Sequence, residues 1–366
     1  MADWYTIANI AELDTPALVV YPERVRENIR NAIALVGDPA RLRPHVKTHK
    51  SPDVTRLLLE AGVRQFKCAT IAEAEMLAME GAPDVLLAYQ PIGPKAARLV
   101  ELIRKYPATT FSCLIDNEAA ARAMAAVFSA AGLTVPVWLD INVGMDRTGI
   151  APGDGAALLY ELALRLPGIT PVGLHAYDGH IRDTDPAVRA ANCDAAFAGV
   201  RALREVLGGS DVPLIAGGSP TFPLHARNPE EVCSPGTFVY WDQGYADQFP
   251  DQPFLPAAVV VSRVISLRGG SRVCIDLGHK SIAPENELAR RVNFLNVKGL
   301  RPVGQSEEHL VLEAGPGHGM QIGDVLYGVP FHVCPTVALY DRVYTIEAGR
   351  VTGEWRTVAR DRKLTV

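Results

Sequence analysis

From residue 13 to residue 218, short apolar segments alternate regularly with longer amphipathic ones, and this limits the possible folds more than any other feature of the chain. The pattern predicts strands at 13–21, 42–46, 66–69, 85–89, 111–116, 135–143, 171–177 and 214–218. Between them it predicts helices at 22–36, 54–61, 71–81, 94–105, 117–131, 153–166 and 185–207. Helical spacing of apolar residues between short buried runs is the mark of βα units, which stack as a parallel sheet under a helical layer. Eight such units have a natural closed form, so the expected class is α/β, a (β/α)8 TIM-like barrel. After Tyr240 the texture changes. Segments at 257–267, 272–277, 292–297, 309–313, 324–329 and 342–347 are short, are separated by Gly and Pro turns, and show no long helical period. They predict a C-terminal all-β domain. The Gln-, Asp- and Pro-rich stretch 242–256 marks the junction, which assigns 14–245 to the barrel and 1–13 with 246–366 to the β domain.

Bulk properties narrow the partners. At 366 residues the chain is too long for one simple core. Its formal net charge is −5, so it lacks the basic footprint of a nucleic-acid binder. A small soluble substrate is expected, met by local positive charge. The six cysteines are scattered and form no C-x-x-C pair, which suits reduced thiols in the cytoplasm better than a disulfide framework. The first five residues show no basic region leading into an apolar core, so no signal peptide is expected. No apolar run reaches membrane-spanning length, and no membrane association is expected.

The predicted strand ends carry the chemically active residues in turn, and in barrels that end is where ligands bind. Lys47 follows the 42–46 strand within Arg43-Pro44-His45-Val46-Lys47-Thr48-His49-Lys50. A partly desolvated lysine there can form a Schiff base, and a basic surface loop is the alternative. Arg147 lies in Asn142-Val143-Gly144-Met145-Asp146-Arg147-Thr148-Gly149, where its planar fork suits a phenolate or carboxylate, or else a surface ion pair. His175, Tyr177 and His180 offer general acids or bases, and His180 lies beyond its strand. Gly217-Gly218-Ser219-Pro220-Thr221 and Ser234-Pro235-Gly236-Thr237 are two glycine-bearing turns whose amides and hydroxyls suit a phosphate. His332 and Cys334, two apart, would project to one side of an extended segment as a two-ligand cation site; a structural histidine and a buried cysteine are the alternative. Glu307, Glu308, His309 and His318 are further polar groups of the same domain.

Five motifs in this order, P-H-V-K-T-H-K, V-G-M-D-R-T-G, G-G-S-P-T, S-E-E-H and H-x-C-P-T, resemble the D-threonine aldolase and D-serine dehydratase group across nearly the whole chain. These are fold-type III pyridoxal phosphate enzymes related to the N-terminal barrel of alanine racemase. The resemblance implies that Lys47 holds pyridoxal 5'-phosphate as a Schiff base and that Arg147 faces the phenolic oxygen side of the cofactor. It places Gly218, Ser219, Thr221, Gly236 and Thr237 around the phosphate. His180 would stand near the substrate β-hydroxyl, Tyr177 would be a further catalytic and cofactor-binding residue, and His332 and Cys334 would bind a divalent metal (Mn, Zn or Mg). The implied activity is a lyase on D-3-hydroxy amino acids. D-threonine aldolase comes first, with D-serine or D-3-hydroxyaspartate dehydratase as the alternative. A racemase or a noncatalytic pyridoxal phosphate-binding protein ranks behind both. Cys334 sides with the dehydratases, while Pro335-Thr336-Val337 and Tyr177-Asp178-Gly179-His180 look closer to the aldolases. A homodimer is implied as well.

Overall fold

The computed structural model of the protein describes residues 3–366. The chain forms two compact units. One comprises residues up to Ile29, Thr48–Val54 and Thr237–Arg360; the other comprises Arg30–Lys47, Thr55–Gly236 and Asp361–Val366. The strands of the amino-terminal two-thirds are β1 (Ala17–Val20), β2 (Gln65–Cys68), β3 (Asp84–Leu87), β4 (Thr110–Ile115), β5 (Val135–Ile141), β6 (Ile169–Ala176), β7 (Leu214–Ala216) and β8 (Glu231–Cys233). The helices interleaved with them are α1 (Pro22–Val36), α2 (Pro52–Glu60), α3 (Ile71–Met79), α4 (Pro94–Lys105), α5 (Glu118–Ala130), α6 (Asp154–Arg165), α7 (Pro186–Leu207) and α8 (Phe222–His225). Side-chain caps fix where several helices begin. Thr70 accepts from the Glu73 amide, Asn117 from the Ala120 amide, and Asp185 from the Ala187 and Val188 amides ahead of Pro186.

Strands β2 to β8 form one parallel sheet in sequence order. Its two edges meet on the segment 42–45. Leu42 bridges Cys233 of β8 and His45 bridges Lys67 of β2, both in parallel. The Arg43 amide donates to the Cys233 carbonyl at 2.8 Å, and the Lys67 amide donates to the Pro44 carbonyl at 2.9 Å. This short segment is therefore the eighth stave that closes the barrel. Leu86, Leu114, Trp138 and Ile215 pack together inside, so the interior is a filled core.

The barrel and the separate β domain are as expected, but the staves differ from the prediction. The strand expected at 13–21 lies outside the barrel. Ala17–Val20 pairs antiparallel with β9 (Ala258–Arg268) and parallel with a later strand, in register Val19 with Tyr344. All four of its residues are buried, a pattern that reports burial on both faces and says nothing about the partner. The stave that takes its place in the barrel, β8, has only three residues and opens on a glutamate, too short a run to register as a strand.

The second sheet adds β10 (Arg272–Ile275), β11 (Val292–Phe294), β12 (Arg301–Gln305), β13 (Leu310–Glu313), β14 (Val325–Pro330), β15 (Arg342–Glu347) and β16 (Arg350–Arg356) to β1 and β9. Its order is β12-β13-β10-β9-β1-β15-β16, with β14 pairing both β9 and β11. Strands β12 and β16 were not expected. The first carries a proline, a glycine and a register shift, and the second is mostly exposed. Val19, Val259, Val261, Tyr327 and Val329 form the core of this sheet. Short helices α9 (Gln243–Gln248) and α10 (Val333–Ala338) lie in the same unit. Residues 361–366, grouped by sequence with the β domain, belong to the barrel unit, where the Thr365 and Val366 amides donate to buried Glu75 of α3. No described helix is long and apolar enough to cross a membrane.

Candidate active site and candidate metal centre

Lys47 sits in a single helical turn, Val46–Thr48, directly after the closing stave. Its amide donates to His45 Nδ1 at 3.2 Å, which fixes the turn. Its Nζ stands 5.8 Å from the centroid of the Tyr177 ring. Arg147 Cζ lies 5.0 Å from the same centroid, so the two residues expected to face the cofactor converge on a third, Tyr177. The loop that presents Arg147 is held by Asn142, whose side-chain oxygen accepts from the Gly144 and Asp146 amides at 3.0 and 3.2 Å. His180 packs against this loop. A Cβ on Gly144 would lie 2.9 Å from His180 Nε2, so only glycine leaves the ring its place. His180 is exposed and Tyr177 half-buried.

The two glycine turns are joined. The Gly236 amide donates to Ser219 Oγ at 3.2 Å. A Cβ on Gly218 would lie 2.7 Å from the Tyr177 ring, which brings the first turn against the same aromatic side chain. Thr221 is fully buried and its hydroxyl donates to Asp178 Oδ1 at 2.8 Å. Thr237 Oγ1, in the other unit, lies 3.6 Å from Cys334 Sγ. Behind the loop, His225 bridges two carboxylates, Asp178 at 2.9 Å and Glu231 at 2.7 Å. Burial opposes its charge, but hydrogen bonds with Asp178, Cys193 and Glu231 raise its pKa well above the usual value, so it is an imidazolium. Asp178, Cys193 and His225 place three possible ligand atoms within 4.8 Å of one another, but both ring nitrogens of His225 already bond carboxylates.

Within the barrel the structure adds two residues not expected from the sequence, Lys67 and Asp140, and brings them to His175. Lys67, Asp140 and His175 face the same pocket as Lys47, Arg147 and Tyr177. Asp140 and His175 are register partners on β5 and β6, with His175 Nδ1 2.8 Å from Asp140 Oδ1. Thr148 donates to the other carboxylate oxygen at 2.9 Å. Burial would raise the Asp140 pKa, but the hydrogen bonds from His175 and Thr148 hold it below the usual range. Burial, with Lys67 close by, lowers the His175 pKa despite Asp140, so the ring is neutral. Lys67 Nζ lies 3.4 Å from His175 Nε2 and 5.8 Å from the Tyr177 centroid. The available signal was parity. Phe66 and Cys68 are both apolar and fully buried, so the lysine between them points to the opposite, inward face.

The rest of the basic stretch around Lys47 has other roles. Arg43 is buried and clasps Asp84 with two nitrogens at 2.7 and 2.9 Å. Burial pushes His49 down to about 3, and its Nδ1 accepts from the Ser51 amide.

In the other unit His332 and Cys334 do not share an extended segment, contrary to expectation. His332 is extended and caps α10, while Cys334 lies in the first turn of that helix. They still meet. Burial opposes charge on His332, yet Cys334, Asp242 and Glu285 carry its pKa up to about 9. His332 Nδ1 is 2.5 Å from Glu285 Oε1, which orients the ring as a carboxylate does behind a metal-bound histidine. Cys334 Sγ lies 3.1 Å from Thr48 Oγ1. An imidazole oriented by a carboxylate, beside a thiol that meets a hydroxyl, is a donor set that suits a divalent cation replacing the shared proton. Glu307 and Glu308 instead pair with Lys280 at 2.6 and 3.5 Å.

A barrel with an amine at the end of its closing stave, an arginine and two joined glycine turns around one tyrosine, and a separate antiparallel domain define a class. Residues 20–243 match the family model of the alanine racemase N-terminal domain, and 257–346 match that of a putative serine dehydratase domain. The chain belongs to the fold-type III pyridoxal phosphate family that includes D-threonine aldolases and D-serine dehydratases. It is 30% identical to a D-threonine aldolase from Arthrobacter sp, over 96% of this chain and 94% of the relative. It is 26% identical to a D-threo-3-hydroxyaspartate dehydratase from Delftia sp. (strain HT23), over 94% and 97% respectively. The crystal structure of D-threonine aldolase from Filomicrobium marinum superposes with a TM-score of 0.86 at 28% identity, covering 96% of this chain and 97% of that one.

Proposed function

We propose that this chain is a pyridoxal phosphate- and divalent metal-dependent lyase that cleaves D-3-hydroxy amino acids of the D-threonine type into glycine and an aldehyde. The observation that carries the reading is the convergence of Lys47 and Arg147 on Tyr177, at 5.8 and 5.0 Å, in a chain similar to a D-threonine aldolase over 96% of its length. The pocket suits the cofactor. It offers an amine for covalent attachment, a guanidinium for the phenolic oxygen, and two glycine turns tied to each other for the phosphate. When bound, pyridoxal phosphate supplies an electron sink at the substrate Cα, and the cation supplies a Lewis acid for the β-hydroxyl.

Lys47 holds the cofactor, and Arg147 and Tyr177 orient its ring. Gly218, Ser219, Gly236 and Thr237 bind phosphate. Thr221, whose hydroxyl is committed to Asp178, secures that turn. His180, exposed and braced on Gly144, takes the proton from the substrate hydroxyl, and His332 and Cys334 hold the metal. The working protein is a cytoplasmic homodimer acting on a small D-amino acid.

A dehydratase is the second reading, favoured by the thiol of Cys334 in the metal pair. Incubating the purified protein with D-threonine and, separately, with D-serine decides between them. Glycine and acetaldehyde mark the aldolase; pyruvate and ammonia mark the dehydratase. Chelation should abolish either activity, and restored metal should return it. A cofactor absorbance band that survives in Lys47→Ala would sink the assignment of Lys47.

A further inference from the structure

Lys67 has no role in the proposal above, yet it is the most deeply buried amine of the pocket, with 2% of its surface exposed. Its neighbours set its chemistry. The His175 Nδ1 proton is given to Asp140, a carboxylate, so Nε2 keeps its lone pair and accepts from Lys67 Nζ. That uses one of the three donors of an ammonium. The side chain lines the same cavity as Lys47 and stands as far as Lys47 does from the Tyr177 ring. Both amines therefore face the one cavity in which Lys47 would hold the cofactor and the substrate would be bound.

We propose that Lys67 is a catalytic acid and base of this pocket, distinct from the attachment lysine, and that it exchanges one proton with the substrate Cα. The inference rests on the lyase reading but holds for either branch of it. In cleavage, the electrons of the broken Cα–Cβ bond return to Cα, which takes a proton from the Lys67 ammonium; the β-hydroxyl loses its own proton to a base, and the aldehyde departs. The base then gives its proton to solvent and solvent reprotonates the amine, so the proton count is conserved. In dehydration, neutral Lys67 takes the Cα proton before the hydroxyl leaves. Both directions need an amine that changes charge near neutral pH. Burial pushes the Lys67 amine down to about 7, Lys47 and Arg43 add to the shift, and Asp140 and Asp178 oppose it. His175 and Tyr177 complete its surroundings.

Exchange of the glycine Cα hydrogens with deuterium oxide, followed by proton NMR on the holoenzyme, tests this without overall turnover. Two variants are compared with the unaltered protein, Lys67→Met and Lys67→Arg. Each is reduced with borohydride and mapped by mass spectrometry to locate the cofactor. With the cofactor still on Lys47, exchange should fall by about 100-fold or more in both, because arginine keeps the charge but cannot release the proton. In the unaltered protein exchange should rise with pH through the neutral range. Exchange within tenfold of normal in either cofactor-loaded variant overturns the proposal, as does a rate independent of pH in the unaltered protein. If both variants fail to fold, the pH profile of the unaltered protein still decides. Failure to find the cofactor on Lys47 in the unaltered protein overturns the lyase reading itself, and the proposal with it.

Discussion

Two buried histidines of the barrel unit have the same side chain and opposite charge. His175 faces one carboxylate and one amine, and it is neutral. His225 faces two carboxylates and a thiol, and it is an imidazolium. Burial penalises charge at both positions, so the balance of neighbouring charges decides. The outcome separates two kinds of polar interior. Around His225 every ring proton has an anionic acceptor, and the network ties the Gly217–Thr221 turn to β6 through Asp178 and Thr221. Around His175 the chain ends on Lys67, an amine with donors to spare facing a cavity. A closed network suits a fixed support, and an open one suits a site that exchanges protons.

Removing the cation should expose that difference most strongly. In His225→Asn the buried carboxylates of Asp178 and Glu231 lose their counter-charge, and breaking a buried pair from one side costs about 3–5 kcal/mol. Urea denaturation at pH 6 should show that loss, and titration of the apo-protein with pyridoxal phosphate should show weaker binding through the loosened turn. The comparison with the unaltered protein is pH-dependent. The folded pKa of His225 lies above its unfolded value, so its stabilisation is complete below about pH 6.5 and disappears as the pH rises through the folded value. A loss under about 1 kcal/mol at pH 6 would mean that the network is not the support described here.

Lys67 should give the opposite slope. Its folded pKa of about 7 lies below the unfolded 10.5, so between these values the unfolded chain binds the extra proton. Stability from this group therefore rises with pH across that window, by about 1.4 kcal/mol per pH unit, and below pH 7 the full cost of burying the amine is present. Lys67→Met should remove the slope and raise the melting temperature at pH 6. Matched slopes in the two proteins between pH 7 and 10 would show that the amine is charged in the folded state, which would close the distinction between the two interiors.

How much of this could be read from the chain depends on how local each signal is. The helices of the barrel were legible because apolar spacing acts within a few residues, and the structure shows them opening on local caps at Asn117 and Asp185. Lys47, Arg147 and the glycine turns were legible because they sit in contiguous motifs at strand ends. The partner of Ala17–Val20 was not, since pairing with β9 and β15 is decided more than 230 residues away. Lys67 and Asp140 were hidden for a related reason. Each is a lone charged residue inside an apolar strand, and only barrel closure brings them to one pocket with His175. The His332–Cys334 pair was found from its spacing, but the geometry assumed for it was that of a strand, whereas the cysteine lies in the first turn of a helix.

The smallest expected effect refines the account of His225. Cys193 Sγ lies 3.5 Å from His225 Nε2 and 3.8 Å from Asp178 Oδ2, so the thiol touches both members of the pair. A thiol is a weak donor and acceptor, whereas the carboxylates at 2.7 and 2.9 Å carry full charge. If the carboxylates set the charge, Cys193→Ala should cost only about 1 kcal/mol, most of it packing, and His225 should remain protonated at pH 7. Imidazole carbon shifts in labelled protein report that charge directly. A neutral His225 in Cys193→Ala would assign the balance to the sulfur and bring the Asp178–Cys193–His225 cluster closer to a metal-ready site than to an ionic support.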